Sequence, residues 1–308
     1  MLQINRKKIL LSAGITAILF SALYFYQNKN TSAQIDETKN TSARITKTKK
    51  TSAWITKIKD VKDFTKAAVE NKNLQYSQTW TFGRKVQKGW YLYVPLIQHT
   101  LETDAEPQTP EFAEKISEWQ LKNNLIADGV LSRETLYSFV SYWQSRRTKP
   151  IILATEEQII TAPISNFYDP TRSVELLKVE KKTFAAYKKM IDAAKADERL
   201  NLKFDGNGNL SEEEKVFKLI STYRSPEYQA SLRKREPNAG RGQLAFVSPH
   251  FTGRALDIYV GGEPVTTKDF NRAIQIRTPA YKWLVKNAER FGFIPYFYEP
   301  WHWEYVGK

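Results

Sequence analysis

The chain has 308 residues, of which 41% are hydrophobic and 13% aromatic, so it can form a packed core and wholesale disorder is excluded. It contains no cysteine. This excludes disulfides, thiolate metal sites and cysteine nucleophiles, and any metal must be bound by His and carboxylates.

The net charge of +14 is concentrated at the N-terminal end. Residues 1–59 hold 11 Lys/Arg and 2 Asp/Glu, a net of +9, which leaves +5 for the remainder. A basic segment of this kind suits an anionic surface, such as lipid headgroups or wall polymers. Because no recognition-helix, RNP or zinc-finger pattern accompanies it, no nucleic-acid partner is predicted.

An uncharged apolar run extends from Ile9 to Tyr26, after Arg6, Lys7 and Lys8. It is near the lower length limit for crossing a bilayer and too long for a typical signal-peptide core. No A-x-A cleavage site follows. We therefore expect residues 1–27 to be a basic flank and an uncleaved transmembrane signal anchor, rather than a cleaved signal peptide. The predicted localisation is the cell membrane, as a single-pass protein whose catalytic part lies on the extracytoplasmic side.

Three copies of a ten-residue unit follow, with the sequences NTSAQIDETK, NTSARITKTK and KTSAWITKIK. The units are polar and have too few apolar residues to form a core. We interpret residues 28–60 as a stalk that holds the rest of the chain away from the membrane.

Residues 61–150 are predicted to form a small, mostly helical domain. Phe112, Ile116 and Trp119 recur at near-helical spacing, a turn follows, and Ser132 indicates the start of a second helix. The stretch resembles the helical peptidoglycan-binding module found beside many wall hydrolases. The matching residues are Trp119-Gln120, Leu125, Asp128-Gly129-Val130 and Thr135-Leu136, whereas Asn124 and Ser132 stand where that module usually has glycine. The alternative is a helical hairpin with an ordinary core stripe.

Residues 151–170 are predicted to be a linker, and helical periodicity returns after it. Two of the three histidines, His250 and His302, lie in the last sixty residues, each near a carboxylate. The third, His99, lies about 150 positions from the nearest of these histidines and is interpreted as a surface or capping residue.

His250 precedes Asp257 by seven positions. The alternation after Gly253 predicts a strand with Leu256, Ile258 and Val260 on one face and Asp257 on the other. A turn at Thr252-Gly253 would bring His250 back beside Asp257.

Glu299 precedes His302 by three positions, with Pro300 between them. Proline disfavours helical geometry for the residue before it, so this is not the helical H-E-x-x-H type of metal site. We expect Glu299 in a turn and His302 on a terminal strand, where Glu304 shares its face.

Two imidazoles and one carboxylate are a complete ligand set for a catalytic zinc with a position left open for water. A second carboxylate that is not a ligand would act as the general base.

The C-terminal third closely resembles the VanY-type zinc D-alanyl-D-alanine carboxypeptidases, within the group that includes the VanX dipeptidases and the hedgehog fold. The resemblance is carried by three motifs, which are Ser248-Pro249-His250 through Asp257, Glu299-Pro300-Trp301-His302, and Tyr223-Arg224-Ser225 with Gln229. The segment 199–216 departs from this family as an insertion, which we expect to be an external loop.

The resemblance implies an α+β fold over residues 171–308, with a small antiparallel sheet flanked by helices that carries one zinc ion. It implies His250, Asp257 and His302 as ligands and Glu299 as base. Arg224 would polarise the scissile carbonyl or stabilise the oxyanion. The remaining implied contacts are to substrate, with Gln229 and Ser248 holding the terminal carboxylate or backbone and Trp301 and Tyr298 forming pocket walls.

The implied activity is removal of the C-terminal D-amino acid from peptidoglycan stem peptides. An L,D-carboxypeptidase, a D,D-dipeptidase or a wall endopeptidase would use the same metal site. An inert wall-binding protein would have lost a ligand or the base, and none is lost here. A structural tether is supported only by the anchor and stalk, and the sequence does not indicate an oligomeric state.

Overall fold

The computed structural model describes residues 63–237 and 247–307. The predicted membrane anchor and the repeat stalk lie outside the described residues and stay predictions. Among the helices that are described, none has the length and apolar character needed to cross a bilayer. The chain from Asp63 onward forms one compact unit.

The upstream part of this unit consists of four helices and one hairpin. They are α1 (Thr65–Ser77), β1 (Thr79–Phe82), β2 (Lys85–Lys88), α2 (Val94–Thr100), α3 (Pro110–Lys122) and α4 (Arg133–Ser145). Ser132 caps α4 by accepting a hydrogen bond from the Thr135 backbone nitrogen, as its place in the sequence predicts. Phe112 and Ile116 of α3 are fully buried, as the helical spacing predicts.

Gln120, a residue of the predicted module motif, is buried between the two helices and the turn that joins them. Its amide nitrogen donates to Asp128 Oδ1 at 2.9 Å, to the Val130 carbonyl at 2.9 Å and to Thr135 Oγ1 at 3.0 Å. Its amide oxygen accepts from the Gly129 backbone nitrogen at 2.9 Å. These contacts satisfy both polar atoms of the buried amide, as a buried polar group requires. The one side chain thereby connects the turn to both helices.

The downstream part contains two small antiparallel sheets and four helices. The strands are β3 (Ile159–Thr161), β4 (Lys178–Glu180), β5 (Leu219–Ser221), β6 (Ala255–Ile258), β7 (Phe293–Pro295) and β8 (His302–Tyr305). The helices are α5 (Lys181–Lys195), α6 (Pro226–Arg235), α7 (Asp269–Gln275) and α8 (Pro279–Asn287). β3 pairs with β4, and the larger sheet has the order β5-β6-β8-β7 with every pair antiparallel. The expected mixture of helices and small antiparallel sheets is confirmed.

The register of the four-stranded sheet aligns three residues across neighbouring strands. Asp257 of β6 lies opposite Ser221 of β5 on one side and opposite His302 of β8 on the other. Residues paired in this way present their side chains on the same face of a sheet, close enough to interact. The pairing therefore brings His302 beside Asp257, although 45 positions separate them in the sequence.

Phe297 joins the upstream helices to the turn that leads into β8. Its ring centroid lies 4.7 Å from that of Phe82, 5.4 Å from that of Tyr93 and 5.7 Å from that of Trp143. The side chain is 3% exposed. Aromatic pairs at these separations stabilise a fold beyond the area they bury. The upstream and downstream parts thus share one aromatic cluster.

We expect Phe297→Ala to lower the free energy of unfolding by about 3–5 kcal/mol, because it removes a buried ring and leaves a cavity among the remaining rings. Urea denaturation followed by far-UV circular dichroism measures the change. Phe270→Ala is the matched control, since Phe270 is 57% exposed and its loss should change stability by no more than about 0.5 kcal/mol. Equal effects of the two substitutions would contradict the role of the cluster.

Candidate metal centre

A tight turn before β6 positions His250. Ser248 caps the short helix Pro249–Thr252 by accepting a hydrogen bond from the His250 backbone nitrogen at 3.3 Å. Gly253 ends that helix with φ +66°, and a Cβ there would lie 3.0 Å from the Glu180 backbone nitrogen. Glycine meets both requirements, since it adopts positive φ at no cost and leaves space for a close backbone approach. The predicted Thr252-Gly253 turn is confirmed.

The imidazoles of His250 and His302 converge on the carboxylate of Asp257. His250 Nε2 lies 3.3 Å and His302 Nδ1 lies 2.9 Å from Asp257 Oδ1. One ligand atom from each residue lies within 4.8 Å of the others, and all three residues are buried. The structure therefore brings together the three residues predicted to bind a metal.

The ring nitrogens that face away from this cluster have partners of their own. His250 Nδ1 lies 2.5 Å from the Thr222 carbonyl oxygen, and His302 Nε2 lies 3.2 Å from Glu304 Oε1. When these nitrogens donate, Nε2 of His250 and Nδ1 of His302 keep their lone pairs for a metal. Metal-binding histidines are held in this way in most proteins. The donor set and its hydrogen-bond partners fit a zinc ion.

Burial and neighbouring charges shift the pKa values of the cluster in opposite directions. Burial lowers the pKa of His250 to about 4, and the positive charge of Arg224 acts in the same direction. Burial would also lower the pKa of His302, but hydrogen bonds to Asp257 and Glu304 outweigh it and raise that pKa to about 9. Burial alone would raise the pKa of Asp257, yet His250 and Arg224 hold it well below its usual range.

Glu299 lies in the turn between β7 and β8, as the sequence predicts. Its backbone nitrogen donates to the Tyr296 carbonyl and its carbonyl accepts from the His302 backbone nitrogen. The side chain is 7% exposed, and burial raises its pKa to about 8, with the Asp257 charge acting in the same direction and His302 against it. A carboxyl group with this pKa exchanges protons near neutral pH, which is the property needed in a general base.

A cavity of about 440 Å³ opens beside the cluster. Five of the other predicted site residues line it, namely Glu299, Arg224, Gln229, Ser248 and Trp301. Tyr298 lies elsewhere, with its ring 5.1 Å from Phe82 and under the guanidinium of Arg272. Tyr296 takes the position beside the cavity, 5.7 Å from the His302 ring.

Arg224 is hydrogen-bonded to Asp257, one of the three predicted metal ligands. Its Nη2 donates to Asp257 Oδ2 at 2.6 Å and its Nε donates to Ser221 Oγ at 2.9 Å. The guanidinium therefore holds the carboxylate oxygen that faces away from the imidazoles. The predicted role of Arg224 towards the substrate carbonyl is separate from this contact and stays a prediction.

Three residues that line the cavity or contact its lining were not predicted as site residues from the sequence. Glu304 contacts His302, and the only sequence signal for it is the face that the two share on β8. Arg147 contacts Glu304 from the end of α4, and Arg172 lines the cavity from the segment before β4. Both arginines lie far in the sequence from the residues of the cluster, and no spacing rule connects residues so far apart. The sequence therefore gives no sign that either arginine belongs to the site.

Comparison with known proteins identifies the downstream part. Residues 176–308 match the family model described as VanY, D-alanyl-D-alanine carboxypeptidase. This segment is thus a VanY-type domain, and the resemblance seen in the sequence is confirmed. No curated protein matches the chain significantly.

Three solved structures are similar to the chain. The structure of the LdcB LD-carboxypeptidase is 24% identical, covering 52% of this chain and 72% of that chain with a TM-score of 0.37. A variant of the vancomycin-resistance D,D-pentapeptidase VanY in complex with Zn(II) is 24% identical, covering 42% and 74% with a TM-score of 0.27. VanYB in complex with D-alanine-D-alanine is 22% identical, covering 51% and 86% with a TM-score of 0.26.

The raised pKa values predict how the stability of the metal-free protein depends on pH. With Glu299 titrating near pH 8 and His302 near pH 9, the folded protein binds more protons than the unfolded chain between about pH 6.5 and 9. Stability in chelator should therefore fall as the pH rises through this window. Thermal unfolding at pH 6.5, 7.5 and 8.5 measures it.

Glu299→Gln is the matched variant, because it removes one of the two titrating groups and keeps the shape of the side chain. Its midpoint temperature should fall less steeply than that of the unaltered protein up to about pH 8. Parallel slopes for the two proteins would show that the pKa of Glu299 is not raised.

Proposed function

We propose that the chain is a zinc-dependent D,D-carboxypeptidase that removes the C-terminal D-amino acid from peptidoglycan stem peptides. The observation that carries the proposal is the convergence of His250, Asp257 and His302 beside the buried carboxyl of Glu299. This cluster lies inside the segment that matches the D-alanyl-D-alanine carboxypeptidase family model.

His250, Asp257 and His302 would hold the zinc ion. The ion supplies Lewis acidity, which polarises a carbonyl and lowers the pKa of water. Glu299 takes the proton of the attacking water and delivers it to the amine of the departing amino acid. Its raised pKa suits both steps, since the group must accept a proton and release it again near neutral pH.

The cavity lining includes Arg172, whose guanidinium suits a substrate that ends in a carboxylate. Arg172 is half-buried there, and its Nε donates to the Leu176 carbonyl at 3.0 Å. Its remaining N–H groups suit a carboxylate, because guanidinium and carboxylate pair in a bidentate geometry. Arg172 would thus act together with Gln229 and Ser248 on the terminal carboxylate. Trp301 would form an apolar wall.

The rest of the chain is proposed to place this activity at the cell wall. The basic, apolar N-terminal segment would anchor the protein in the membrane with the enzyme outside, and residues 28–60 would provide reach. The helical module would bind wall polymers. Each role would raise the local concentration of stem peptides at the active site.

The purified full-length chain should release D-alanine from a pentapeptide stem that ends in D-Ala-D-Ala, and a chelator should abolish the release. Glu299→Gln should lower the rate by about 10²–10⁴-fold, because proton transfer loses its base. Mass spectrometry of the peptide products measures both effects. His99→Gln is the control, since His99 lies on α2, exposed and outside the cavity, and its activity should be unchanged.

Other outcomes would correct the proposal in defined ways. Cleavage of a tetrapeptide stem without cleavage of the pentapeptide would assign L,D specificity to the same site. Cleavage of cross-linked stems alone would assign an endopeptidase. Zinc binding without cleavage of any of these substrates would leave an inert wall-binding protein.

A further inference from the structure

Two consecutive arginines, Arg146 and Arg147, follow α4 and reach the downstream part of the chain. Arg146 pairs with Glu289 in a partly exposed salt bridge, whereas Arg147 pairs with the buried Glu304. Both arginines precede residue 176, where the match to the VanY family model begins. The upstream helical part therefore contributes a side chain to the surroundings of the metal cluster.

We propose that Arg147 is a positioning residue for the metal ligand His302, on which it acts through Glu304. The upstream helical part would then complete the metal centre, in addition to any contact it makes with the wall. The inference rests on the proposed function, in that it takes the cluster of His250, Asp257 and His302 as a zinc site.

Glu304 is the link between the two residues. It is 1% exposed, and its Oε1 lies 3.2 Å from His302 Nε2 and accepts from Arg147 Nε at 2.8 Å. Arg147 Nη2 contacts the same oxygen, and Oε2 accepts from the Thr148 backbone nitrogen at 2.9 Å. A buried carboxylate is stable as an anion only when it is paired in this way.

Arg147 is itself held in a single place. Its Nη1 donates to Gln144 Oε1 at 3.1 Å, and its guanidinium lies 3.9 Å from the centroid of the Tyr296 ring. The planar guanidinium makes the two Glu304 contacts and the ring contact at once, which an ammonium group does not reproduce. The orientation of Glu304 is therefore determined by a residue that lies 157 positions upstream.

The orientation of Glu304 determines which nitrogen of His302 is free for a metal. Glu304 Oε1 faces His302 Nε2 at 3.2 Å, so Nε2 is the nitrogen that keeps its proton. Nδ1 faces the cluster, 2.9 Å from Asp257 Oδ1, and is the nitrogen that binds a metal once the metal displaces its proton. Without Arg147, the buried Glu304 would lose its counter-charge and its fixed position. Hydrogen-bond partners of metal-binding histidines commonly change metal affinity about 10–100-fold when they are removed.

The test is the zinc affinity of the full-length chain, measured by competition with a chromophoric chelator, which requires no peptide substrate. Arg147→Gln should weaken zinc binding about 10–100-fold. Arg147→Lys, which keeps the charge and loses the planar geometry, should restore the affinity only in part. Arg146→Gln is the matched control, because it removes the neighbouring salt bridge between the same two parts of the chain. It should change the affinity less than about 2-fold.

A double substitution tests that Arg147 acts through Glu304. Arg147→Gln should weaken zinc binding no further in a chain that already carries Glu304→Gln, because the two residues form one path to His302. Thermal unfolding in chelator reports whether each variant folds. If Arg147→Gln does not fold, the comparison of Arg147→Lys with Arg146→Gln carries the test, and unchanged affinity in Arg147→Lys then overturns the inference.

Unchanged affinity in Arg147→Gln, equal losses in Arg147→Gln and Arg146→Gln, or additive losses in the double variant would each overturn the inference. These results are independent of catalysis. A chain that binds zinc as expected and cleaves no stem peptide would contradict the proposed function and leave the inference in place.

Discussion

Asp257 is a buried carboxylate on which the arrangement of the downstream part depends. A charge removed from water is costly unless several donors compensate it, and the loss of one partner leaves that cost uncompensated. Here the donors come from three separate elements, which are the turn that carries His250, the strand β8 that carries His302, and the segment after β5 that carries Arg224. The sheet order and the strand register are the conditions under which all three reach one carboxylate.

The same interaction explains why the cluster suits a metal. Asp257 accepts from positive or polar groups on every side, so its pKa is held far below neutral. Burial lowers the pKa of His250 and so favours its neutral form. The pKa of His302 is raised, so this imidazole holds its extra proton until a metal ion displaces it. Metal binding at such a site releases a proton, because histidine must be neutral to act as a ligand.

Two further sets of contacts connect the surroundings of this centre to the upstream helices. Glu304 and Arg147 carry one connection, and the aromatic cluster around Phe297 carries another. Both end within five residues of Glu299 or His302. The upstream part therefore contacts the residues around the candidate metal centre, in addition to carrying the sequence resemblance to a wall-binding module.

Much of the centre was predictable because its partners are close in sequence or follow simple periodicity. The spacing of His250 and Asp257 across a glycine turn, and the alternation that places Glu304 on the face of His302, follow from backbone geometry alone. Tyr298 shows where such rules fail. It lies in a turn rather than on a strand, so strand alternation does not assign the direction of its side chain, and Tyr296 lines the cavity instead.

The sequence by itself determined the turn at Gly253 and the family of the downstream domain, and it predicted the metal-donor types and a general base. It did so because metal chemistry restricts ligands to a few residue types, and because a tight turn requires particular backbone angles. Only the tertiary structure decided that Arg224 binds Asp257, that Arg147 contacts Glu304, and that the upstream helices share a core with the turn that carries Glu299. These contacts join residues that are 33 or more positions apart, and their pairing depends on how whole elements pack.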